Sequence, residues 1–256
     1  MATDAIITLK DAAVGYGGEP VLTGLNFSVR RGEIFVVAGG SGCGKSTIMR
    51  TLITLLPPMG GQVMLDGVDL ARATGDEINA LRRRIGVMYQ SGALFGGLTL
   101  LENVRLPLEE FTALSTPAQT AVARAKLAVV GLSADAEKLP SEVSGGMQKR
   151  AAVARALALD APIAFLDEPT AGLDPVTSAE FDELILSLNS LLGTTFVVVT
   201  HELPSIERIA TRMVICDRRR KTAVAIGAPR ELREQCTDPE VQAFLNRRSM
   251  SGAGQS

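Results

Sequence analysis

The sequence has few cysteines and no excess of charge of either sign. Its 256 residues include three cysteines, Cys43, Cys216 and Cys236. They are odd in number and widely spaced, which argues against a disulfide framework or a zinc site and favours a reducing cytosol. Lysine and arginine total 26 against 28 aspartate and glutamate, for a formal net charge of -2. No basic field therefore attracts the protein to nucleic acid.

Long apolar runs are also missing. The most apolar stretch, 151–166, is interrupted by Arg155 and Asp160, well short of the ~20 residues that a membrane-spanning helix needs. The first ten residues carry an early acid and no basic segment followed by a long apolar one, so a secretory signal is not expected. We therefore expect about one or two globular domains with a sizeable core and no spanning segment.

Short apolar runs bounded by turn residues recur along the chain and predict buried parallel strands. The clearest of these runs are 34–38, 163–166 and 196–199. Helical patterns lie between them, at 45–56, 147–159 and 178–192. Strands that alternate with helices predict an α/β fold.

Two regions depart from this alternation. The strand patterns at 6–9, 21–29 and 62–65 are separated by glycine-rich turns, which favours antiparallel pairing. Residues 98–138 are nearly all helical in composition, with breaks expected at Pro107 and Pro117. We therefore expect a β-rich N-terminal lobe, a nucleotide-binding type of α/β core and a helical subdomain inserted at about 95–160. The small polar tail, 249–256, is expected to be disordered.

A glycine-rich segment follows the first predicted core strand and precedes a predicted helix. It reads Gly39, Gly40, Ser41, Gly42, Cys43, Gly44, Lys45 and Ser46, and it satisfies the phosphate-loop pattern G-x-x-x-x-G-K-[ST] in the required context. Glycines let the chain wrap a phosphate with its backbone N–H groups exposed. Lys45 then supplies charge to the β- and γ-phosphates, and Ser46 is placed to ligate Mg²⁺. The sequence therefore predicts an α/β P-loop NTPase.

Two carboxylates end another predicted core strand. Asp167 and Glu168 follow the apolar run 163–166, at the edge where α/β sheets bind their ligands. Asp167 is predicted to hold the metal through water, and Glu168 to act as the general base for an attacking water. On its own this pattern is equally compatible with a solvated strand end, and the phosphate loop favours the functional interpretation.

His201 and Gln90 are further candidates. His201 is the only histidine and follows the predicted strand at 196–199, where its imidazole could bond the γ-phosphate or orient the attacking water. Gln90 follows a short β pattern and offers its amide to the metal or to water. A lone histidine is more often structural, so the prediction for His201 depends on the neighbouring phosphate loop.

In this order, the motifs resemble the ATP-binding subunit of an ABC transporter. The distinguishing segment is Val143-Ser-Gly-Gly-Met147, which stands where that family carries its Leu-Ser-Gly-Gly-Gln signature. The resemblance runs from about Ile6 to Arg247 and implies an ABC ATPase domain over 5–247. It implies that ATP and Mg²⁺ are the ligands and that two copies of the chain form the active unit. It also implies integral-membrane permease partners and a peripheral location on the cytoplasmic face of the inner membrane.

The resemblance also assigns the remaining site residues. Ser144, Gly145 and Gly146 are implied to cap the ATP of the opposite subunit, and Asp174 ends a segment that resembles the family's D-loop. Tyr16 stands where an aromatic ring stacks on adenine, and Thr47, next to the phosphate loop, is implied to bind nucleotide.

Two departures from the family pattern indicate a branch. Met147 replaces the usual signature glutamine. The second departure is the segment Gln90-Ser-Gly-Ala-Leu-Phe95, at the position of the family's Q-loop glutamine. Both are similar to the ATPase of bacterial Mla-type transporters, which move phospholipids with an MCE-domain partner. The alternatives are the ATPase of an importer for another small substrate, a non-transport ABC ATPase, and a non-catalytic nucleotide-binding regulator. Two basic clusters, 82–84 and 218–221, are interpreted as solvated loop charges, with contact to acidic lipid headgroups or a partner loop as the alternative.

Overall fold

The computed structural model describes residues 4–246, arranged as two β-sheets with helices around them. The predicted disordered tail at 249–256 and the last residue of the predicted domain lie outside the described residues. The first sheet contains β1 (Ala5–Tyr16), β2 (Glu19–Arg30), β4 (Gly60–Leu65) and β5 (Val68–Asp69), in the order β2-β1-β4-β5. All of its pairings are antiparallel, so the predicted N-terminal lobe is confirmed.

The second sheet forms the centre of the molecule. Its strand order is β10 (Thr222–Gly227), β9 (Arg212–Asp217), β3 (Ile34–Gly39), β8 (Thr195–Val199), β7 (Ile163–Asp167) and β6 (Ile85–Met88). The pairings are parallel except that of β10 with β9. Every residue of β3 and β8 is buried, because apolar clusters cover both faces of the sheet. The three strands predicted most clearly are therefore neighbours, and their carboxyl ends share one edge.

Nine α-helices lie within the described residues. They are α1 (Lys45–Leu52), α2 (Gly75–Arg82), α3 (Leu100–Phe111), α4 (Thr116–Val129), α5 (Gly145–Ala156), α6 (Pro175–Leu192), α7 (Leu203–Ile209), α8 (Pro229–Gln235) and α9 (Pro239–Leu245).

The inserted helices α3, α4 and α5 have an apolar core of their own, which confirms the predicted helical subdomain. Leu100, Val104 and Leu127 are fully buried in it. Helix α5 also packs on the central sheet, and a Cβ on Gly86 would lie 2.1 Å from the Ala156 carbonyl oxygen. Glycine at 86 therefore lets α5 approach β6 backbone to backbone, which ties the subdomain to the core.

The expected helix break at Pro107 is wrong. Pro107 lies inside α3, which continues to Phe111, since the ring removes only the hydrogen bond to the Asn103 carbonyl while Val104 and Leu108 on the same helix remain buried in the subdomain core. Pro117 lies in the first turn of α4, where a missing N–H is tolerated. Its predicted role as a boundary is confirmed.

The basic segment 218–221 forms the exposed turn between β9 and β10, in agreement with its interpretation as solvated loop charges. Two of its arginines fasten the C-terminal helix: Arg220 pairs with Asp238, and the Arg219 guanidinium lies 3.6 Å from the Glu240 carboxylate. These ion pairs connect the turn to the start of α9, and because the arginines are exposed they contribute little to stability.

Candidate functional site

The phosphate loop joins β3 to α1 and depends on glycine at two positions. Gly39 has φ 139° and Gly44 has φ 99°, both in the region that favours glycine. A Cβ on Gly39 would lie 2.4 Å from the Cys216 carbonyl oxygen, and one on Gly44 would lie 2.7 Å from Leu22 Cδ1. Helix α1 begins without a side-chain cap and without an acid in its first turn. Its N–H groups therefore remain available for an anion.

Lys45 folds back over this loop. Its Nζ donates to the carbonyl oxygens of Gly39 at 3.0 Å and Gly40 at 3.2 Å, and the residue is only 8% exposed. The ammonium group is thereby held at the mouth of the loop, where a phosphate oxygen would meet it.

A cavity of about 620 Å³ adjoins the loop and brings most of the predicted residues together. The predicted residues on its wall are Gly39, Gly40, Ser41, Gly42, Lys45, Ser46, Gln90, Asp167, Glu168 and His201. These residues come from four segments that the topology places at the same sheet edge. The predicted meeting of the phosphate loop with the carboxyl ends of β7 and β8 is therefore present in the fold.

Asp167 lies at the end of β7, and its buried carboxylate oxygen Oδ1 has no hydrogen-bond partner among residues 4–246. Burial, and then the neighbouring Glu168, raise the pKa of this carboxyl, while Arg50 and Lys45 act in the opposite direction. A buried oxygen without a donor needs a compensating partner, and a cation would supply one. Asp167, Ser46 and Gln90 all line the same cavity, and their side-chain oxygens are the kind of donor that suits Mg²⁺.

Glu168 adopts φ 45°, an uncommon value for a residue other than glycine. Its N–H donates to the Val199 carbonyl at 2.8 Å, which fixes the strained backbone. Its Oε1 lies 2.8 Å from His201 Nδ1, and its Oε2 accepts from the Thr200 hydroxyl at 3.3 Å. Glu168 and His201, which were predicted separately, are thus in direct contact.

Two supporting residues were not predicted from the sequence. Thr200 orients the Glu168 carboxylate, and Lys149 on α5 donates to the Pro169 carbonyl at 2.7 Å and also to that of Ala171. Lys149 is 7% exposed, and burial lowers its pKa. A buried lysine on a helix otherwise rich in alanine was the available signal, because such a charge needs oxygen partners.

Several predicted residues do not line this cavity. Ser144 begins α5, and its Oγ accepts the Met147 N–H at 3.3 Å. Ser144 and Gly145 are exposed, whereas a Cβ on the buried Gly146 would lie 2.7 Å from Thr177 Cγ2.

Asp174, Tyr16 and Thr47 are also predicted residues that do not line the cavity, as are Cys43 and Gly44 of the phosphate loop. Asp174 caps α6, Tyr16 ends β1 with 61% exposure, and Thr47 is buried on α1. Ser144, Gly145 and Asp174 are therefore displayed on the surface, away from their own chain's phosphate loop.

Cys43 belongs to the loop, but its side chain does not line the nucleotide cavity. The thiol lines a separate cavity of about 310 Å³ behind the loop, with Cys216 and Phe244. Cys43 is 2% exposed, and burial raises its pKa. Only its backbone can contact phosphate.

This burial predicts the order of thiol modification. In the native protein, iodoacetamide at neutral pH should label Cys236, which is partly exposed, at least ~10-fold faster than Cys43, because the thiolate is the reactive form. Peptide mass spectrometry over time measures both rates, with Cys236→Ala as the control that must remove the fast phase. Faster labelling of Cys43 would contradict the orientation described above.

Comparison with known proteins identifies the family. A family profile described as "ABC transporter" matches residues 22–171. The chain belongs to this family. Among curated relatives, the probable ribonucleotide transport ATP-binding protein mkl of Mycobacterium leprae is 36% identical over 256 residues, covering 100% of this chain and 73% of that protein. The intermembrane phospholipid transport system ATP-binding protein MlaF of Escherichia coli K12 is 36% identical over 242 residues, covering 94% and 88%.

Solved ABC cassettes have the same fold. The ATP-binding cassette MJ0796, in a dimeric post-hydrolysis state bound to ADP and Pi, superposes with a TM-score of 0.77 at 32% identity, covering 87% of this chain and 98% of that one. The predicted fold class is confirmed, and the chain is the ATP-hydrolysing subunit of an ABC transporter. Among residues 4–246, no helix combines the length and apolar character that a membrane crossing requires.

Proposed function

We propose that this ABC ATPase works as a homodimer that powers phospholipid transport through separate permease subunits. The observation that carries the catalytic half is the contact of 2.8 Å between Glu168 Oε1 and His201 Nδ1, on the wall of the cavity that adjoins the phosphate loop. This pair stands beside a cradle for phosphate and a carboxylate suited to a cation. Together they form the parts needed for phosphoryl transfer to water.

ATP is held mainly through its phosphates. The loop glycines and the first turn of α1 offer backbone N–H groups, and Lys45 places its charge on the β- and γ-phosphates. Ser46, Gln90 and Asp167 would hold Mg²⁺, which when bound neutralises the charge on these phosphates. Tyr16, exposed at the end of β1, supplies a ring for adenine to stack on, and Thr47 supports the loop from α1.

Glu168 serves as the general base. An ionised Glu168 carboxylate can only accept a hydrogen bond, so His201 carries its proton on Nδ1 and donates it to Oε1. The second ring nitrogen, Nε2, is directed elsewhere. The second oxygen, Oε2, is held by Thr200, so the base is fixed from both sides. His201 then orients the attacking water or bonds the γ-phosphate.

The cargo proposal depends on similarity and on two sequence segments. MlaF is matched over 88% of its length, and Met147 with the segment 90–95 follows the same branch. Under this proposal, an MCE-domain lipid-binding protein belongs to the assembly, which lies on the cytoplasmic face of the inner membrane. An importer for another small substrate is the second candidate, because the methionine import ATP-binding protein MetN of Caulobacter vibrioides is 41% identical over 216 residues, covering 83% of this chain and 64% of that protein.

Purification of the assembled complex separates these candidates. Lipid extraction followed by mass spectrometry should recover phospholipid above the level found in a detergent blank. Enrichment of an amino acid or another small solute, with lipid at the blank level, would favour the importer and contradict the lipid proposal.

The permease is proposed to dock beside Phe95, on a surface between the core and the helical subdomain. Phe95 is 60% exposed, and its backbone is fixed because Asn103 accepts its N–H at 2.8 Å and donates to its carbonyl at 3.1 Å. Exposed apolar rings on a rigid turn are typical of a partner site.

Phe95→Asp should therefore uncouple the ATPase from its membrane partner. Losing a ring that the permease would bury costs about 2 kcal/mol, so permease-stimulated hydrolysis should fall by about 10-fold or more. The isolated chain should keep its ATP affinity within about twofold. Leu191→Asp, at a 70% exposed site on α6, is the matched control. Loss of nucleotide binding in Phe95→Asp would show instead that this segment belongs to the core.

A further inference from the structure

The turn between β9 and β10 carries three successive arginines, and they differ in what they contact. Arg219 lies 3.6 Å from the Glu240 carboxylate, and Arg220 pairs with Asp238. Arg218 is exposed, and within the described part of the chain it forms no salt bridge. The turn therefore keeps one arginine whose charge no carboxylate compensates.

The Arg218 side chain lies beside the phosphate loop. A Cβ on Gly42 would lie 3.8 Å from Arg218 Nη1 and 4.0 Å from its Cδ and Cζ atoms, which places the guanidinium group next to this glycine. Gly42 lines the nucleotide cavity, whereas Arg218 lines the cavity of about 310 Å³ behind the loop. The backbone of the loop therefore separates the guanidinium group from the space that the phosphates would occupy.

Two carboxylates line the cavity behind the loop, and both have partners other than Arg218. Asp217 accepts the backbone N–H of Arg220 at 2.6 Å, and Glu240 is the partner of Arg219. Both acids are thus close to the turn without forming a salt bridge with Arg218. The uncompensated charge follows from the arrangement of the turn and not from a shortage of nearby acids.

Three sources of positive potential meet at the phosphate loop. Lys45 holds its ammonium group on the side of the nucleotide cavity, and α1 begins there with its positive dipole end and no acid in its first turn. Arg218 adds a guanidinium group from behind. Like charges repel each other, so this arrangement is unfavourable in the empty protein, and a polyphosphate bound in the loop would offset the repulsion.

We propose that Arg218 is a nucleotide-binding residue that acts through the electrostatic potential of its guanidinium group, which raises the affinity of the phosphate loop for ATP from the far side of the loop. This role depends on ATP binding by the chain, and it is independent of the assignment of Glu168 as the base, of the dimer and of the cargo. The basic turn is then divided in function, because two of its arginines contact α9 and the third serves the phosphate loop.

An electrostatic role fixes both the size of the effect and its dependence on salt. A single exposed charge interacts weakly with another one, but the phosphates of ATP carry several negative charges, so the loss of Arg218 should raise the Kd of ATP by about threefold to tenfold. The Debye length falls from about 10 Å at 0.1 M salt to about 3 Å at 1 M. The contribution of Arg218 should therefore nearly vanish at high salt.

The test is the Kd of ATP for the full chain, measured by isothermal titration calorimetry with Mg²⁺ chelated so that ATP is not hydrolysed. Arg218→Gln should raise the Kd by about threefold to tenfold at about 0.1 M KCl and by less than about twofold at about 1 M KCl. Arg218→Lys keeps the charge and should stay within about twofold of the wild type at both salt concentrations. Arg219→Gln removes the same charge from the same turn and is the matched control, which should also stay within about twofold, because Arg219 is paired with Glu240.

An unchanged Kd in Arg218→Gln at about 0.1 M KCl overturns the proposal. An equal increase in Arg219→Gln also overturns it, since the net charge of the protein would then be responsible. A loss of affinity that persists at about 1 M KCl, or that Arg218→Lys shows in full, overturns it as well, because the packing of the side chain beside Gly42 would then matter and its charge would not. Arg218 is exposed, so all these variants should fold as the wild type does.

Discussion

Glu168→Gln should bind ATP tightly and hydrolyse it at least ~10²-fold more slowly than the wild type. The amide keeps the shape of the side chain and can still accept from His201 or Thr200, but it cannot take a proton from water. The positive φ of Glu168 and its backbone bond to Val199 are unaffected, so the fold should be retained. Since hydrolysis no longer releases the nucleotide, a dimer that holds ATP should persist.

Steady-state phosphate release measures the rate, and size-exclusion chromatography with ATP measures the dimer. Glu202→Gln is the matched control, because its carboxylate lines the same cavity and lies 3.7 Å from His201 Nε2. The control should change the rate by less than about threefold, since the hydrogen bonds that fix Glu168 come from Thr200, His201 and the Val199 carbonyl and not from the Glu202 side chain. Near wild-type turnover in Glu168→Gln would remove Glu168 from the role of base.

The features of this site that could be predicted from the sequence are those that a short segment of the chain determines by itself. A glycine-rich turn between a buried strand and a helix defines the phosphate loop, and Asp167 and His201 directly follow apolar runs. Parallel strands end at one edge of a sheet, so these residues could be placed together without coordinates. The N-terminal antiparallel pairs could be predicted for the same reason, since their turns lie within the segment.

The parts that could not be predicted depend on packing between distant segments. The thiol of Cys43 turns away from the cavity because the strand that carries Cys216 lies behind the loop. Lys149 contacts carbonyl groups about twenty residues further along the chain, and Pro107 is accepted because neighbouring residues of α3 are buried against other helices.

The position of the signature residues predicts that two copies of the chain share each ATP site. Ser144 and Gly145 begin α5 on the surface, away from the phosphate loop of their own chain, yet an exposed helix start is suited to bind an anion. A second copy, related by twofold symmetry, would bring its α5 onto this chain's nucleotide and receive the same in return. Asp174, exposed at the start of α6, is proposed to lie in the same interface.

Lys45→Ala and Ser144→Arg should therefore complement each other. Each variant alone should lose activity by about 10²-fold. Both sites of the Lys45→Ala homodimer lack the positive charge that binds the phosphates, and both sites of the Ser144→Arg homodimer have the start of α5 blocked. A heterodimer keeps one site with an intact phosphate loop and an intact signature. Because half of randomly paired dimers are heterodimers, an equal mixture should recover up to roughly a quarter of wild-type hydrolysis.

Ser141→Arg is the control for added bulk and charge near α5, and it should leave activity within about twofold of the wild type. The decisive comparison is between the mixture and the mean of the two separate variants, measured over a range of protein concentrations. A shared site makes wild-type hydrolysis rise more steeply than in proportion to concentration where dimers dissociate. Strict proportionality, together with a mixture no more active than that mean, would show that one chain holds a complete site, because neither lesion could then be compensated by the other copy.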